Sequence, residues 1–136
     1  MAKPLQFVKL RRAHHREKAE DYVEMIQDLL EEQGEARLTE LAKRFGVSTV
    51  TVHKIIERLQ KENLIDAKPY RSLFLTPKGK KLATQSRRRH QIVHHFLKSI
   101  GVPEETAQID AEGIEHHVSP ATLQAFKKHL KKHSNL

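Results

Sequence analysis

The chain has 136 residues, 38% of them hydrophobic, and 25 Lys and Arg against 17 Asp and Glu, for a formal net charge of +8. That length fits one modest domain or two small lobes, and the charge excludes an acidic solvating chain and points to a polyanionic partner such as nucleic acid. With no cysteine, disulfides, thiolate metal sites and cysteine nucleophiles are excluded, and a cytoplasmic location is the expectation.

Residues 1–13 read as a basic N-terminal extension without the apolar core of a secretory signal. From His14 to Gln33, the apolar residues Tyr22, Met25, Ile26, Leu29 and Leu30 recur at helical spacing, and Gly34 ends the run. Thr39 is placed to cap a short second helix through Phe45, stopped by Gly46. Ser48 caps a third helix to Glu62, with Val52, Ile55, Ile56 and Leu59 on one face. The segment LIDAKPYRSLFLT, residues 64–76, reads as a small hairpin with Lys68–Ser72 at its tip. Pro77 opens a fourth helix reaching Ser99. Pro103 opens a fifth through His116, and Ser119-Pro120 opens a sixth to Lys132. The fold class is therefore mainly α with a small β-hairpin wing. No stretch approaches the roughly 18 apolar residues of a membrane helix, so no membrane partner is expected.

Charge is segregated along this order. From Lys68 to Lys98 there are nine Lys and Arg and no acid, whereas Glu104 to Glu115 holds five acids and no Lys or Arg. Ordinary clustering on helix faces explains any one block, but an acidic block within a basic chain reads as separate surfaces.

Residues Leu38–Leu59, LTELAKRFGVSTVTVHKIIERL, carry a helix-turn-helix pattern. Ala42 is small where the two helices approach, Gly46 tolerates the turn, and Val52 and Ile55 face the first helix. The hairpin that follows makes it a winged variant. A protein-contact helical hairpin would share this pattern, and the net charge favours DNA. Recognition helices enter the major groove by their N-terminal residues, which nominates Thr49, Val50, Thr51 and Lys54 for base edges, with Arg58 at the margin. Ser48 suits a cap and a phosphate contact, and Tyr70 and Arg71 at the wing tip suit the backbone or minor groove. Arg11, Arg12 and Arg16 add phosphate attraction, unless the N-terminus is simply frayed and solvated.

Hard metal ligands recur at two places. Asp21 and Glu24 are i and i+3 on the first helix; Glu112, Glu115 and His116 are i, i+3 and i+4 on the fifth. Each set occupies one helix face. Facing one another, such carboxylates repel without a cation. One further histidine completes an oxygen-rich site without sulfur, which favours Mn²⁺ or Fe²⁺ over Cu⁺ or structural zinc. Acid pairs at this spacing also occur on many solvated faces. His14, His15, His129 and His133 lie near the ends and read as solvated. His117 points about 100° away from His116. His90 and His94 share a face of the fourth helix, and spacing does not choose between them.

The segments EDYVEMIQDLLEEQGEARLTELAKRFGVSTVTVHKIIERLQKENLI, PYRSLFLTPKGKKLA, RRRHQIVHHFLKSIGV and DAEGIEHHVS closely resemble the manganese transport regulators, the manganese branch of the diphtheria toxin repressor family. The resemblance spans about residues 13–129. It implies a homodimeric, Mn²⁺-activated transcription factor whose winged helix binds palindromic operator DNA and whose C-terminal helices dimerise. The expected organisation is thus a winged helix-turn-helix over residues 14–76 and a helical metal-binding and dimerisation domain over 77–136. Carried over by position, the resemblance implies metal ligation by Asp21, Glu24, His90, Glu112, Glu115 and His116, with two Mn²⁺ per subunit. Iron-sensing relatives place sulfur at the positions of Asp21 and Glu112, and oxygen at both favours manganese. Ser72 departs from the Tyr-Arg-Gly wing of the family.

The expected function is repression of manganese uptake genes in the metal-bound state, with activation of efflux as the other sign. An Fe²⁺- or Zn²⁺-responsive regulator of the same fold is the alternative, followed by a metal-independent winged-helix regulator. An enzyme is not expected. A di-metal oxidase would need symmetric Glu-x-x-His motifs on paired helices, and no small organic substrate is implied.

Overall fold

A computed structural model describes residues 4–68 and 71–133. In chain order the elements are α1 (Pro4–Gln33), α2 (Leu38–Phe45), α3 (Thr49–Lys61), β1 (Ile65–Asp66), β2 (Phe74–Leu75), α4 (Pro77–Ser99), α5 (Glu104–Ile114) and α6 (Pro120–His133). The chain forms two compact bodies. One is Lys18–Thr84; the other joins the chain up to Glu17 with the chain from Gln85 onward, so α1 and α4 contribute to both. No described helix is long and apolar enough to cross a membrane.

α1 starts at Pro4 rather than at the expected His14. Nothing after Pro4 breaks a helix before Gly34, proline suits a first helical position, and Leu, Lys, Arg, Ala and Glu are good formers. Between Leu10 and Tyr22 the only apolar residues are Ala13 and Ala19, and that gap hid the first turns from a reading based on periodicity.

In the Lys18–Thr84 body, Tyr22, Val23, Ile26 and Leu29 of α1 pack with Leu41 and Ala42 of α2 and Val52, Ile55, Ile56 and Leu59 of α3. Each fully buried Leu or Ile contributes about 1.5–3 kcal/mol. The rings of Tyr22 and Phe45 stack with centroids 4.5 Å apart. The cap of α2 is Arg37, through backbone alone, and Thr39 lies inside the helix, which corrects the expected cap. Gly46 ends α2 in the left-handed region at φ 66°, where a side chain would be strained. Ser48 caps α3 as expected, its hydroxyl accepting from Thr51 N at 3.1 Å.

β1 and β2 pair antiparallel, with Ile65 opposite Leu75. Two residues per strand are marginal alone. The wing holds because Leu64, Ile65, Leu73 and Leu75 enter the core and because it is tied to the loop before α2. Leu73 N donates to Ala36 O at 2.8 Å, and Ala36 N donates to Ser72 Oγ at 2.8 Å. Thr76 caps α4, accepting from Gly79 N at 3.0 Å while its hydroxyl donates to Asn63 O. A Cβ at Gly79 would collide with the carbonyl oxygen of Leu64, so glycine is required for this close approach.

In the second body Val93, Ala107 and Ala111 are buried, and Phe96 stacks on Phe126 with centroids 3.9 Å apart. Lys98 pairs with Glu104 at 2.6 Å and His94 reaches the same carboxylate at 3.1 Å. The Lys98 ammonium holds the Glu104 carboxyl below its ordinary range. α5 stops at Ile114, not at the expected His116; Glu115 is its cap and His116 lies in the turn that follows. α5 leaves Ile109 72% exposed and Ile114 37% exposed.

Candidate metal centre and nucleic-acid interface

The end of α5 and the middle of α4 bring a set of hard donors together within the second body. Nδ1 of His90 lies 3.4 Å from a carboxylate oxygen of Glu115 and 3.7 Å from one of Glu112. The other Glu115 oxygen lies 3.5 Å from Nε2 of His116. Glu112 is exposed and His90 mostly buried, whereas Glu115 and His116 are buried at 1% and 4% exposure. Glu115 keeps helical backbone angles and donates its N–H to Ala111 O at 3.0 Å, so it stays in register one turn after Glu112, and the tighter turn follows it, with His117 N donating to Ile114 O.

Glu115 is the decisive group. Both of its oxygens are buried, and neither accepts a hydrogen bond of good geometry among the described residues. Burial pushes its carboxyl above the usual carboxylate range, and His90 and His116 pull it back only in part. A buried carboxylate without a hydrogen bond of good geometry is costly, and a cation among it, Glu112 and the two imidazoles would offset that cost. The donors are oxygen and imidazole nitrogen, which suits manganese or iron. The residues present therefore fit a divalent transition metal ion.

Of the two histidines that share a face of α4, His90 meets Glu112 and Glu115, while His94 is taken by Glu104. Asp21 and Glu24 lie half-buried on α1 in the Lys18–Thr84 body. One residue that sequence reasoning missed is Glu17, whose Oε2 is 3.2 Å from Nε2 of His117. The signal available was its i, i+4 spacing to Asp21.

On α3, Thr49, Val50, Thr51 and Lys54 are all exposed, Val50 at 62%. The Thr51 hydroxyl is 2.9 Å from the Ser48 hydroxyl, so these two are partly engaged with each other. Arg58 differs from expectation. Its Nε and one terminal nitrogen are buried, and its charge acts on Tyr22, opposing the upward push that burial gives the phenol. Arg71 is exposed on the wing, and Tyr70 lies outside the described residues. Arg11, Arg12 and Arg16 are exposed on α1. Within the winged body, a groove floored by Leu38, Ile56 and Leu73 is rimmed by Arg37, Lys68 and Arg71.

Residues 14–73 match the iron dependent repressor N-terminal DNA binding domain, and residues 76–135 match the iron dependent repressor metal binding and dimerisation domain. The chain belongs to the iron dependent repressor family. As a member it is a DNA-binding transcriptional regulator and not an enzyme, with a metal-binding and dimerisation domain after the winged helix. The transcriptional regulator MntR of Escherichia coli O6:H1 is 53% identical over 127 residues, covering 93% of this chain and 82% of that one. The HTH-type transcriptional regulator MntR of Bacillus pumilus is 44% identical over 100 residues, covering 74% and 69%. Among solved structures, a manganese-dependent transcriptional repressor in complex with manganese superposes with a TM-score of 0.73 at 31% identity, covering 82% of this chain and 52% of that one. This chain thus spans about half the length of that family member.

Proposed function

We propose that this chain is a homodimeric, Mn²⁺-responsive regulator that binds palindromic operator DNA in its metal-bound state and represses manganese uptake genes. The observation that carries the metal half is the buried Glu115 carboxylate beside His90 and His116. The DNA half is supported by the exposed N-terminal residues of α3 and by relatives named as MntR regulators.

On this reading His90, Glu112, Glu115 and His116 are ligands, and Asp21 and Glu24 join them on the strength of the resemblance of the α1 segment to the family. These six residues would hold two ions per subunit. Bound Mn²⁺ supplies the positive charge that these carboxylates lack. Asp21 and Glu24 share α1 with the core residues that support the helix-turn-helix, while the other four belong to the dimerising half of the chain. A ligand set drawn from both halves restricts how the recognition helices of a dimer are spaced. Operator half-sites demand one spacing, so metal and DNA binding are coupled, and operator DNA tightens metal binding in return.

Thr49, Val50, Thr51 and Lys54 meet base edges, whereas Ser48 and Arg71 meet phosphates. Tyr70 joins Arg71 at the wing tip by its place in the sequence. Arg58 takes a supporting part, because much of its guanidinium is buried.

The test is operator binding measured metal by metal at fixed ionic strength, since phosphate contacts make affinity steeply salt-dependent. Mn²⁺ is expected to raise affinity at least tenfold over chelator, and equal affinity in both conditions would sink the reading. A response to Fe²⁺ or Zn²⁺ but not Mn²⁺ would keep the regulator and change its ion.

A further inference from the structure

Glu17 stands outside the six ligands proposed above, and the inference drawn from it rests on the manganese reading. It is half-buried on the part of α1 that belongs with α4, α5 and α6. Its Oε2 lies 3.2 Å from Nε2 of His117. A carboxylate oxygen of Glu17 also lies within 4.8 Å of a ring nitrogen of His116. One carboxylate therefore faces two consecutive histidines in the turn after α5. His116 is buried, while the side chain of His117 is 47% exposed.

Two physical arguments separate this contact from an ordinary surface pair. An exposed pair of this kind contributes little stability, so stability alone gives little reason for it. A carboxylate hydrogen-bonded to one imidazole and within reach of a second, buried one is the arrangement by which neighbouring hydrogen bonds orient a metal ligand. Glu17 also precedes Asp21 by one helical turn, so the two acids share a helix face.

We propose that Glu17 is a further oxygen ligand of the manganese centre, with the His117 Nε2–H holding its carboxylate in place and His116 binding the same ion. His117 is then a positioning residue, although it adjoins a ligand in sequence.

The test measures Mn²⁺ affinity and stoichiometry on the full chain by equilibrium dialysis, with the Mn²⁺ electron paramagnetic resonance spectrum as a second readout. Glu17→Gln keeps the size of the side chain and an oxygen for His117 but removes the charge. It is expected to lower affinity at least tenfold, or to remove one ion, and to change the spectrum. His117→Ala is expected to weaken binding about tenfold without loss of stoichiometry. The metal-free melting temperatures of both variants report whether the fold is kept, and Glu17→Asp, which retains the charge, is expected to fall between wild type and Glu17→Gln. Glu17→Gln binding within twofold of wild type, with unchanged stoichiometry, would overturn the assignment. So would His117→Ala losing binding as fully as Glu17→Gln, because Glu17 would then act only as a clasp. A wild-type chain that binds no Mn²⁺ overturns the manganese reading, and this assignment with it.

Discussion

Nδ1 of His90 lies 3.4 Å from a Glu115 oxygen, which places an imidazole from the middle of α4 against a buried carboxylate at the end of α5. The pair is too long for a good hydrogen bond. It leaves Glu115 poorly satisfied in the metal-free chain, and the first two expectations follow from that.

Replacing Glu115 with Gln is expected to raise metal-free stability at neutral pH, on the order of 1 kcal/mol, while abolishing stabilisation by Mn²⁺. The sign follows from burial. The folded carboxyl titrates above its unfolded value, so in the window between them the folded state holds more protons. Its contribution is fully favourable below the unfolded pKa and is lost as pH rises through the folded one. Thermal unfolding of wild type and variant across pH 3–8 (about one unit below to several above the ordinary value) checks this. A variant with the same pH dependence as wild type would refute it.

Mn²⁺ is expected to raise the melting temperature of wild type. At an ion concentration 100-fold above the dissociation constant the gain is about 2.7 kcal/mol. Asp21→Ala, His90→Ala and Glu112→Ala should each lose most of that gain and, with it, metal-dependent operator binding. Scanning calorimetry with Mn²⁺ and with chelator measures the first, and an operator titration the second.

Val50→Ala and Thr51→Ala are expected to change which operator bases are preferred, each by about 1–3 kcal/mol. Arg71→Ala should weaken all sequences alike and lower the salt dependence of binding by about one ion. Binding to operator variants at several salt concentrations distinguishes the two kinds of contact. Arg58→Ala should cost stability more than sequence preference, because its guanidinium is partly buried beside Tyr22.

Ser72→Gly is expected to destabilise the winged body by about 1–2 kcal/mol, since it strands the buried Ala36 N–H that Ser72 now satisfies. Glycine is the residue that the resembled family places here, so the loss would show that this chain holds its wing by a hydroxyl. Chemical denaturation of the two proteins measures it.

Ile109→Glu is expected to shift the chain from dimer toward monomer, since Ile109 is the most exposed of the large apolar residues on α5, in the dimerisation domain. Sedimentation equilibrium reads the change directly. A dimer of unchanged strength would place the interface elsewhere.

Local rules made much of this molecule legible. Ser48, Gly46 and the Val52–Leu59 stripe specify the second half of the helix-turn-helix through caps, backbone freedom and periodicity, none of which needs distant contacts. Asp21 and Glu24, and Glu112, Glu115 and His116, were visible as sets because helix spacing is a local property. Boundaries were less legible. α1 begins at Pro4 because helix propensity carries across Arg11–Asp21, where large apolar residues are absent, and α5 ends at Ile114 although Gly113, in its last turn, takes no left-handed φ.

The rest required the fold. His90 and His94 are equivalent on α4, and only the packing of α5 gives Glu115 to one and Glu104 to the other. Ser72 stands where the resembled family has glycine, and only the fold brings its hydroxyl to Ala36 N, 36 residues earlier. Glu17 and His117 are 100 residues apart, a separation that no periodicity spans. The sequence by itself determined which side chains share a helix face, because that follows from 3.6 residues per turn. Which faces meet was decided by burial of the apolar stripes, a property of the whole chain, and only that meeting set His90 beside Glu115 and left its carboxylate wanting a cation.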